Sequence, residues 1–355
     1  MQSLNEKTWD EFYLNNIFGF KLAKGDNQPK NMKQGHIPVV SAGETNNGVT
    51  AFVSNPDEGS VFQSGTVTVD MFGKAFWHGY DYCAVSHGRV NILDLNAPNN
   101  SSQFISTCID EGTISKYSYN QMCSQKRLTR QKVMLPVTDS DEPDYAYMTE
   151  YVQQKRAAML DKYHKYVEAR IAELGELVEI PALGEKEWAE FPLNDIFTVG
   201  AGKRLETRNK IPGTRPFIGA TDNSNGVTGF VGNDNASKDS NVLGVNYNGA
   251  PCIAFYHPYE CIFTDDVKRL HLRNYKNNKF VLLFFASLFA QQRSKYSYGY
   301  KFKEKRMLRQ KLMLPVDDAG EPDYAYMEQY SKNMMLRKYK QYLEFINRQN
   351  VTEVD

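Results

Sequence analysis

The sequence has no paired cysteines. Cys83, Cys108, Cys123, Cys252 and Cys261 are odd in number and form no C-x-x-C step, which argues against a disulfide framework or a thiolate zinc site and predicts free, buried thiols. Net charge is also absent: 42 basic residues face 42 acidic ones, so overall balance speaks neither for nor against a nucleic-acid partner. The longest apolar run, residues 280–290, falls short of the roughly 20 residues that a membrane span needs, and reads as a buried helix. The opening MQSLNEKTWDEF lacks the basic-then-apolar character of a signal peptide, so a cytoplasmic chain is expected. Catalytic constellations are missing as well. There is no Asn-Pro-Pro-aromatic motif, no G-x-S-x-G elbow and no H-E-x-x-H pair, and the stretch 200–203 lacks the spacing and the Ser/Thr of a phosphate loop. His78 and His257 sit in matching aromatic settings without a carboxylate–lysine cluster, which reads as structural rather than metal-binding. The chain is therefore expected to do no chemistry alone and to hold no metal or cofactor.

What is present is a folded composition, 41% hydrophobic and 13% aromatic, and a duplication. EKTWDEFYLNNIF at 6–18 recurs as EKEWAEFPLNDIF at 185–197, with 9 of 13 positions identical. IPVVSAGETNNGVTAFV at 37–53 matches RPFIGATDNSNGVTGFV at 215–231, and FWHGYDYC at 76–83 answers FYHPYEC at 255–261. Residues 116–148 and 295–327 share 21 of 33 positions, including KYSY, RQK, MLPV and EPDYAYM.

Each copy reads as strand-rich first and helical last. Short apolar runs broken by NG and GK turns suggest strands. A helix precedes KYSY in each copy, more clearly over 280–292. Pro143 and Pro322 sit just ahead of long periodic segments, where a helix tolerates proline. Behind the first lies an apolar stripe through Met148, Tyr151, Leu160, Tyr163, Val167, Ile171, Leu174 and Val178; behind the second it runs through Met327, Tyr330, Met334, Met335, Tyr339, Tyr342 and Ile346. A helix of about 35 residues is about 50 Å long, more than one small domain covers. Two related stripes favour an antiparallel pairing of the helices over each lying on its own domain. The expected fold is α+β: two repeated mixed α/β domains at 1–140 and 184–319, followed by helices at 141–183 and 320–355 that pair as a coiled coil.

Charge is distributed unevenly. Residues 116–132 carry five basic residues and no acid, and residues 295–311 carry seven against one, whereas 137–188 holds twelve acids and six bases. Two basic, tyrosine-studded patches thus flank an acidic spacer. Lys and Arg along a phosphate backbone, with aromatics beside them, suit a DNA-facing surface, and duplication of the patch weighs against a merely solvated face.

In order and twice over, the motifs resemble those of the specificity subunit of type I restriction–modification systems and the related type IIB subunits. They are W-x-E-F-x-L-x-x-I-F from Trp9 and Trp188, G-K-R-L at 202–205, P-x-I-x-A-T-x-x-x-N-G-V-T-G at 216–229, N-x-N-G with A-F-Y-H-P-Y-E at 246–260, and L-P-V with E-P-D-Y-A-Y-M closing each unit. The first copy departs from the pattern at Lys24-Gly25-Asp26 and at Asp70-Met71-Phe72. The resemblance implies two target-recognition domains that enter DNA grooves, and two helices that set the distance between half-sites. It also implies partners: double-stranded DNA, methyltransferase subunits, expected to be two, that use S-adenosylmethionine, and a restriction subunit using ATP and Mg²⁺ or a fused methyltransferase–nuclease.

Segments alike in the two copies should be scaffold or phosphate contacts, and segments that differ should read bases. The differing ones are 54–65 and 86–110 in the first copy, and 232–243 and 264–273 in the second. Phosphate candidates are Lys126, Arg127, Arg130, Lys305, Arg306 and Arg309. Candidates for base edges or nearby groove contacts are Asn46, Asn47, Asn223, Asn225, Tyr119, Tyr298 and Lys301, with Lys203 and Arg204 of G-K-R-L as further DNA contacts. Asn-Gly at 47–48 and 225–226 is equally a hairpin turn. A tandem module for a non-DNA ligand remains the other reading of the duplication.

Overall fold

In the computed structural model the described residues are all except 1, 24–27, 55, 57–59, 86–89, 96–100, 114, 297–299, 301 and 353–355. The chain divides into two compact units, Met1–Tyr163 and His164–Asp355, and each carries one copy of the same α/β module.

In the first module an antiparallel sheet runs in the order Phe18–Leu22, Val90–Leu95, Val67–Asp70, Ala75–Trp77. A second sheet joins Val49–Ser54, Lys33–Val40, Tyr82–Ala84 and Val61–Phe62, with Lys33–Val40 and Tyr82–Ala84 parallel. The repeat closes on a two-stranded ribbon, Trp9–Tyr13 against Lys132–Pro136. The second module reproduces this. Its sheet runs Phe197–Ala201, Val267–Leu272, Val242–Asn246, Ala254–His257, its ribbon pairs Trp188–Pro192 with Lys311–Pro315, and its other sheet has three strands.

Helix α1 (Ser102–Thr113) covers the first four-stranded sheet and α3 (Lys279–Gln291) the second. Their apolar faces make the cores, through Phe104, Ile105 and Ile109 in one case and Val281, Leu282, Phe285 and Phe289 in the other. Trp9 stacks on Phe104 at 6.1 Å and Trp188 on Phe284 at 6.4 Å, which explains the tryptophan common to both repeats. All five cysteines are free, and all but Cys108 are buried.

The long helices α2 (Tyr145–Leu174) and α4 (Tyr324–Thr352) start just behind the two prolines. Asp144 and Asp323 cap them, accepting hydrogen bonds from the N–H groups of Tyr147 and Tyr326, each at 2.9 Å. The same carboxylates pair with Lys7 and Lys186 at 2.7 Å. The Tyr147 and Tyr326 hydroxyls donate to the carbonyls of Gln2 and Pro181. The repeated EPDYAYM is therefore a latch that ties the start of each module to the helix that ends it.

The division between units falls inside α2. Met148 is fully buried in the first module's core, and Tyr151 packs against it. Met327 and Tyr330 do the same in the second module. These four, expected on a seam between the two long helices, serve their own modules, because the first two turns of each long helix pack on the helix that covers the sheet: Tyr151 lies edge-on to Phe104 at 5.5 Å and Tyr330 to Phe284 at 5.7 Å. Tyr342 is largely exposed at 47%, Leu160, Tyr163 and Met334 are half-buried, and Val167 and Ile346 are buried. Within the second unit Tyr166 lies edge-on to Tyr339 at 6.4 Å, and the backbone of Val178 exchanges two hydrogen bonds with the Asn333 amide. The tail of α2 and the segment after it thus run antiparallel to α4.

Two of the segments that differ between copies are structural. Residues 102–110 belong to α1, and Val267–Leu272 is an interior strand with Val267, Leu270 and Leu272 buried. Both differ because core packing changes, so neither is a surface reading loop. Strand register also corrects the cysteine alignment: Val39 faces Cys83, whereas its counterpart Phe217 faces Ile262, so Cys261 corresponds to Tyr82.

Candidate DNA interface

In each module three segments converge at the turn that ends the central strands of the four-stranded sheet. In the first, Asp70 closes this turn: one carboxylate oxygen accepts from the N–H groups of Phe72 and Lys74 at 2.8 and 2.9 Å, the other from Gly43 of the 41–48 loop at 3.2 Å. Burial raises the Asp70 pKa against the pull of these N–H groups. The basic segment joins through Cys123, whose N–H donates to the Met71 carbonyl at 2.8 Å. In the second module Asn246 stands for Asp70 and donates to the Thr221 carbonyl at 2.8 Å, while Arg293 reaches Asp222 at 3.4 Å. Asp70 and Asn246 are buried, so the first residue of the N-x-N motif clamps loops together.

The Asn-Gly sites are turns. Asn46, Asn47 and Gly48 have φ of 52°, 52° and 72°, and Ser224, Asn225 and Gly226 have 49°, 52° and 75°. Three consecutive left-handed residues require the small polar side chains and glycine found there. The Asn225 amide donates to the Tyr259 hydroxyl at 3.0 Å, and Asn47 hydrogen-bonds Tyr80. Asn223 accepts from Thr221 at 3.0 Å. These amides make contacts within the module, and Asn47, Asn223 and Asn225 are exposed, as is Asn46.

The tyrosines lead inward to His78 and His257, whose Nδ1 atoms lie 3.4 Å from the Tyr80 and Tyr259 hydroxyls. Both imidazoles are completely buried, and burial pushes their pKa down to about 4, so they are neutral near pH 7. Their role is structural.

On the basic segments, Lys126, Arg130, Lys305 and Arg309 are exposed and meet no acid among the described residues. Arg127 donates to the Met122 carbonyl at 2.7 Å, and Arg306 lies over the Tyr300 ring at 3.9 Å. Tyr119 is 73% exposed. Lys203 and Arg204 are exposed, on a strand-like segment fixed by the Lys203 N–H donating to the Phe263 carbonyl at 2.8 Å. Gly202 lies against the Thr264 carbonyl, where a Cβ would clash at 1.9 Å. Tyr298, Lys301 and the Lys24-Gly25-Asp26 stretch lie outside the described residues. Lys74, Lys268 and Arg269 are neutralised by Asp110, Glu304 and Asp239, which removes them from the candidate cations. Sequence reasoning missed the clamp formed by Asp70 and Asn246; the departure from N-x-N at 70–72 was its trace.

The model of the type I restriction modification DNA specificity domain matches residues 6–176 and again 185–344. The chain belongs to that family. It is 35% identical over 331 residues to the specificity subunit S.BcgI of a type II restriction enzyme from Heyndrickxia coagulans, covering 92% of this chain and 94% of that one. The S subunit of a type I restriction–modification system from M. genitalium superposes with a TM-score of 0.52 at 14% identity, covering 99% and 96% of the two chains, a likeness of fold. This chain is accordingly a specificity subunit of a restriction–modification system and not a catalytic one. No helix among the described residues is long and apolar enough to cross a membrane.

Proposed function

We propose that the chain reads a two-part, asymmetric site on duplex DNA, one half-site per module, and brings that site to methyltransferase subunits, two per complex, that supply S-adenosylmethionine chemistry. Cleavage then belongs to a separate restriction subunit or to a nuclease fused to the methyltransferase. The observation that carries this reading is the repeated basic segment. In both modules exposed Lys and Arg lie beside a rigid turn, on matching scaffolds whose residues at that turn differ. Equal scaffolds present backbone contacts, and unequal turns present unlike surfaces to the bases.

The test is binding of the full chain to randomised duplexes, followed by sequencing and a salt titration. A bipartite sequence with unlike halves should emerge, with affinity falling steeply as salt rises, because several phosphates exchange counterions for Lys and Arg. Absence of any enriched sequence, or indifference to salt, refutes the reading in favour of a module for another ligand.

A further inference from the structure

Phe72 stands at the tip of the Asp70-clamped turn with about a third of its surface (36%) in solvent, and the more exposed Tyr119 meets it edge-on at 5.2 Å. A single ring of this kind is ordinary on a protein surface, but here two meet beside basic residues and form a patch. These two are held out by a stiff base: three backbone N–H groups bind Asp70, and Cys123 is tied to Met71. Tyr119 belongs to, and Phe72 is tied through Met71 and Cys123 to, the stretch 116–132, which holds five basic residues and no acid and in which Lys116, Lys126 and Arg127 are exposed. That charge suits a polyanion and disfavours an apolar protein face. The second module differs at this point: Asn248 replaces Phe72 and turns to Asp266 at 2.9 Å.

We propose that Phe72 is a specificity-determining side chain of the first module, contacting its half-site through apolar contact with the bases. The inference rests on the DNA-reading function proposed above. A phenyl ring donates and accepts no conventional hydrogen bond, so it distinguishes bases only by the thymine methyl in the major groove or by wedging into an easily unstacked step. Tyr119 braces the ring and is a positioning residue. The second module, with an amide in this position, has no such apolar contact, which makes the two half-sites chemically unlike.

The experiment selects randomised duplexes on the full-length wild-type chain and on Phe72→Ala and Phe72→Asn, with thermal melting to confirm folding. Phe72→Asn installs the residue of the second module and serves if Phe72→Ala folds poorly. The expected result is a loss of discrimination of about tenfold at one or two adjacent base pairs in one half-site, with the other half unchanged. Lys126→Ala should instead weaken all sequences alike. Deoxyuridine in place of thymine at the affected pair separates the two sources: weaker wild-type binding with no effect on Phe72→Ala marks methyl contact, and no effect on either marks a wedge. Unchanged preference at every position, or uniform weakening with no change of preference, overturns the role given to Phe72 while leaving DNA reading intact. Failure of the wild type to enrich any sequence overturns both.

Discussion

Thr68 and Gly244 occupy the same place in the two four-stranded sheets, facing Phe76 and Phe255 across the strand pair. In the first module the Thr68 hydroxyl satisfies His78 Nε2 at 2.7 Å. In the second, His257 Nε2 is buried with no hydrogen-bond partner among the described residues, and a Cβ on Gly244 would sit 2.9 Å from it and 3.0 Å from the Phe263 ring. Thr68→Gly should therefore cost roughly 1–3 kcal/mol by stranding a buried nitrogen. Gly244→Thr should also destabilise, because the space is taken; urea denaturation of both variants checks the pair, and a gain from Gly244→Thr would contradict the packing. The two imidazoles set a pH dependence too. Their pKa is about 4 when folded against an ordinary 6.5, so protons favour the unfolded chain. Stability is complete above pH 6.5 and falls as pH drops toward 4, by up to roughly 3 kcal/mol per histidine. His257→Phe should flatten this dependence at small cost, since only a long contact to Tyr259 is lost. His78→Phe should flatten it at greater cost, because Thr68 loses its partner.

At the scale of elements, the helix latch and the Asn-Gly turn carry separate expectations. Removing Asp144 as Asp144→Ala deletes a helix cap and a half-buried ion pair, a loss of about 1–2 kcal/mol that unfolding curves would show. Although burial works upward on the Asp144 carboxyl, Lys7 and the Tyr147 N–H hold its pKa below the usual value. Its contribution is thus present in full above the ordinary carboxylate value and lost as pH falls from there through the lowered pKa of the folded state. At the turn, Asn47→Gly should be tolerated, and Asn47→Val should cost on the order of 1–2 kcal/mol because a β-branched side chain resists positive φ. Equal melting of the two variants would contradict the assignment of Asn47 as a turn residue.

For the whole molecule, duplication, strand-rich modules, closing helices and basic segments were all legible in residue order, because each leaves a local periodic or compositional trace. The destination of the helix stripes was not. Met148 and Met327 lie on the right helix face, but three-dimensional packing decides whether that face meets the module's own covering helix or the other long helix. The Asn-Gly amides were ambiguous for the same reason, since turn-forming and base-pairing asparagines look identical until Tyr80 and Tyr259 are seen to engage them. Differences between the copies misled where they came from repacking, as in α1 and Val267–Leu272. A prediction at this scale concerns phosphate contacts: Lys305→Ala with Arg309→Ala should weaken binding to every duplex and flatten the dependence of log affinity on log salt by about one to two. A change of sequence preference with no change of slope would reassign both residues to base reading.

Lys7 and Asp144 are separated by 137 positions, as are Lys186 and Asp323, and the two tyrosine hydroxyls each reach back 145. Each repeat is a closed circuit whose first and last segments meet at an identical clasp. Such a circuit is a cassette: it can be lifted out and replaced by another with the same clasp, and the joint survives whatever lies between. A module exchanged at the clasp should therefore fold with no redesign of the helix that follows it.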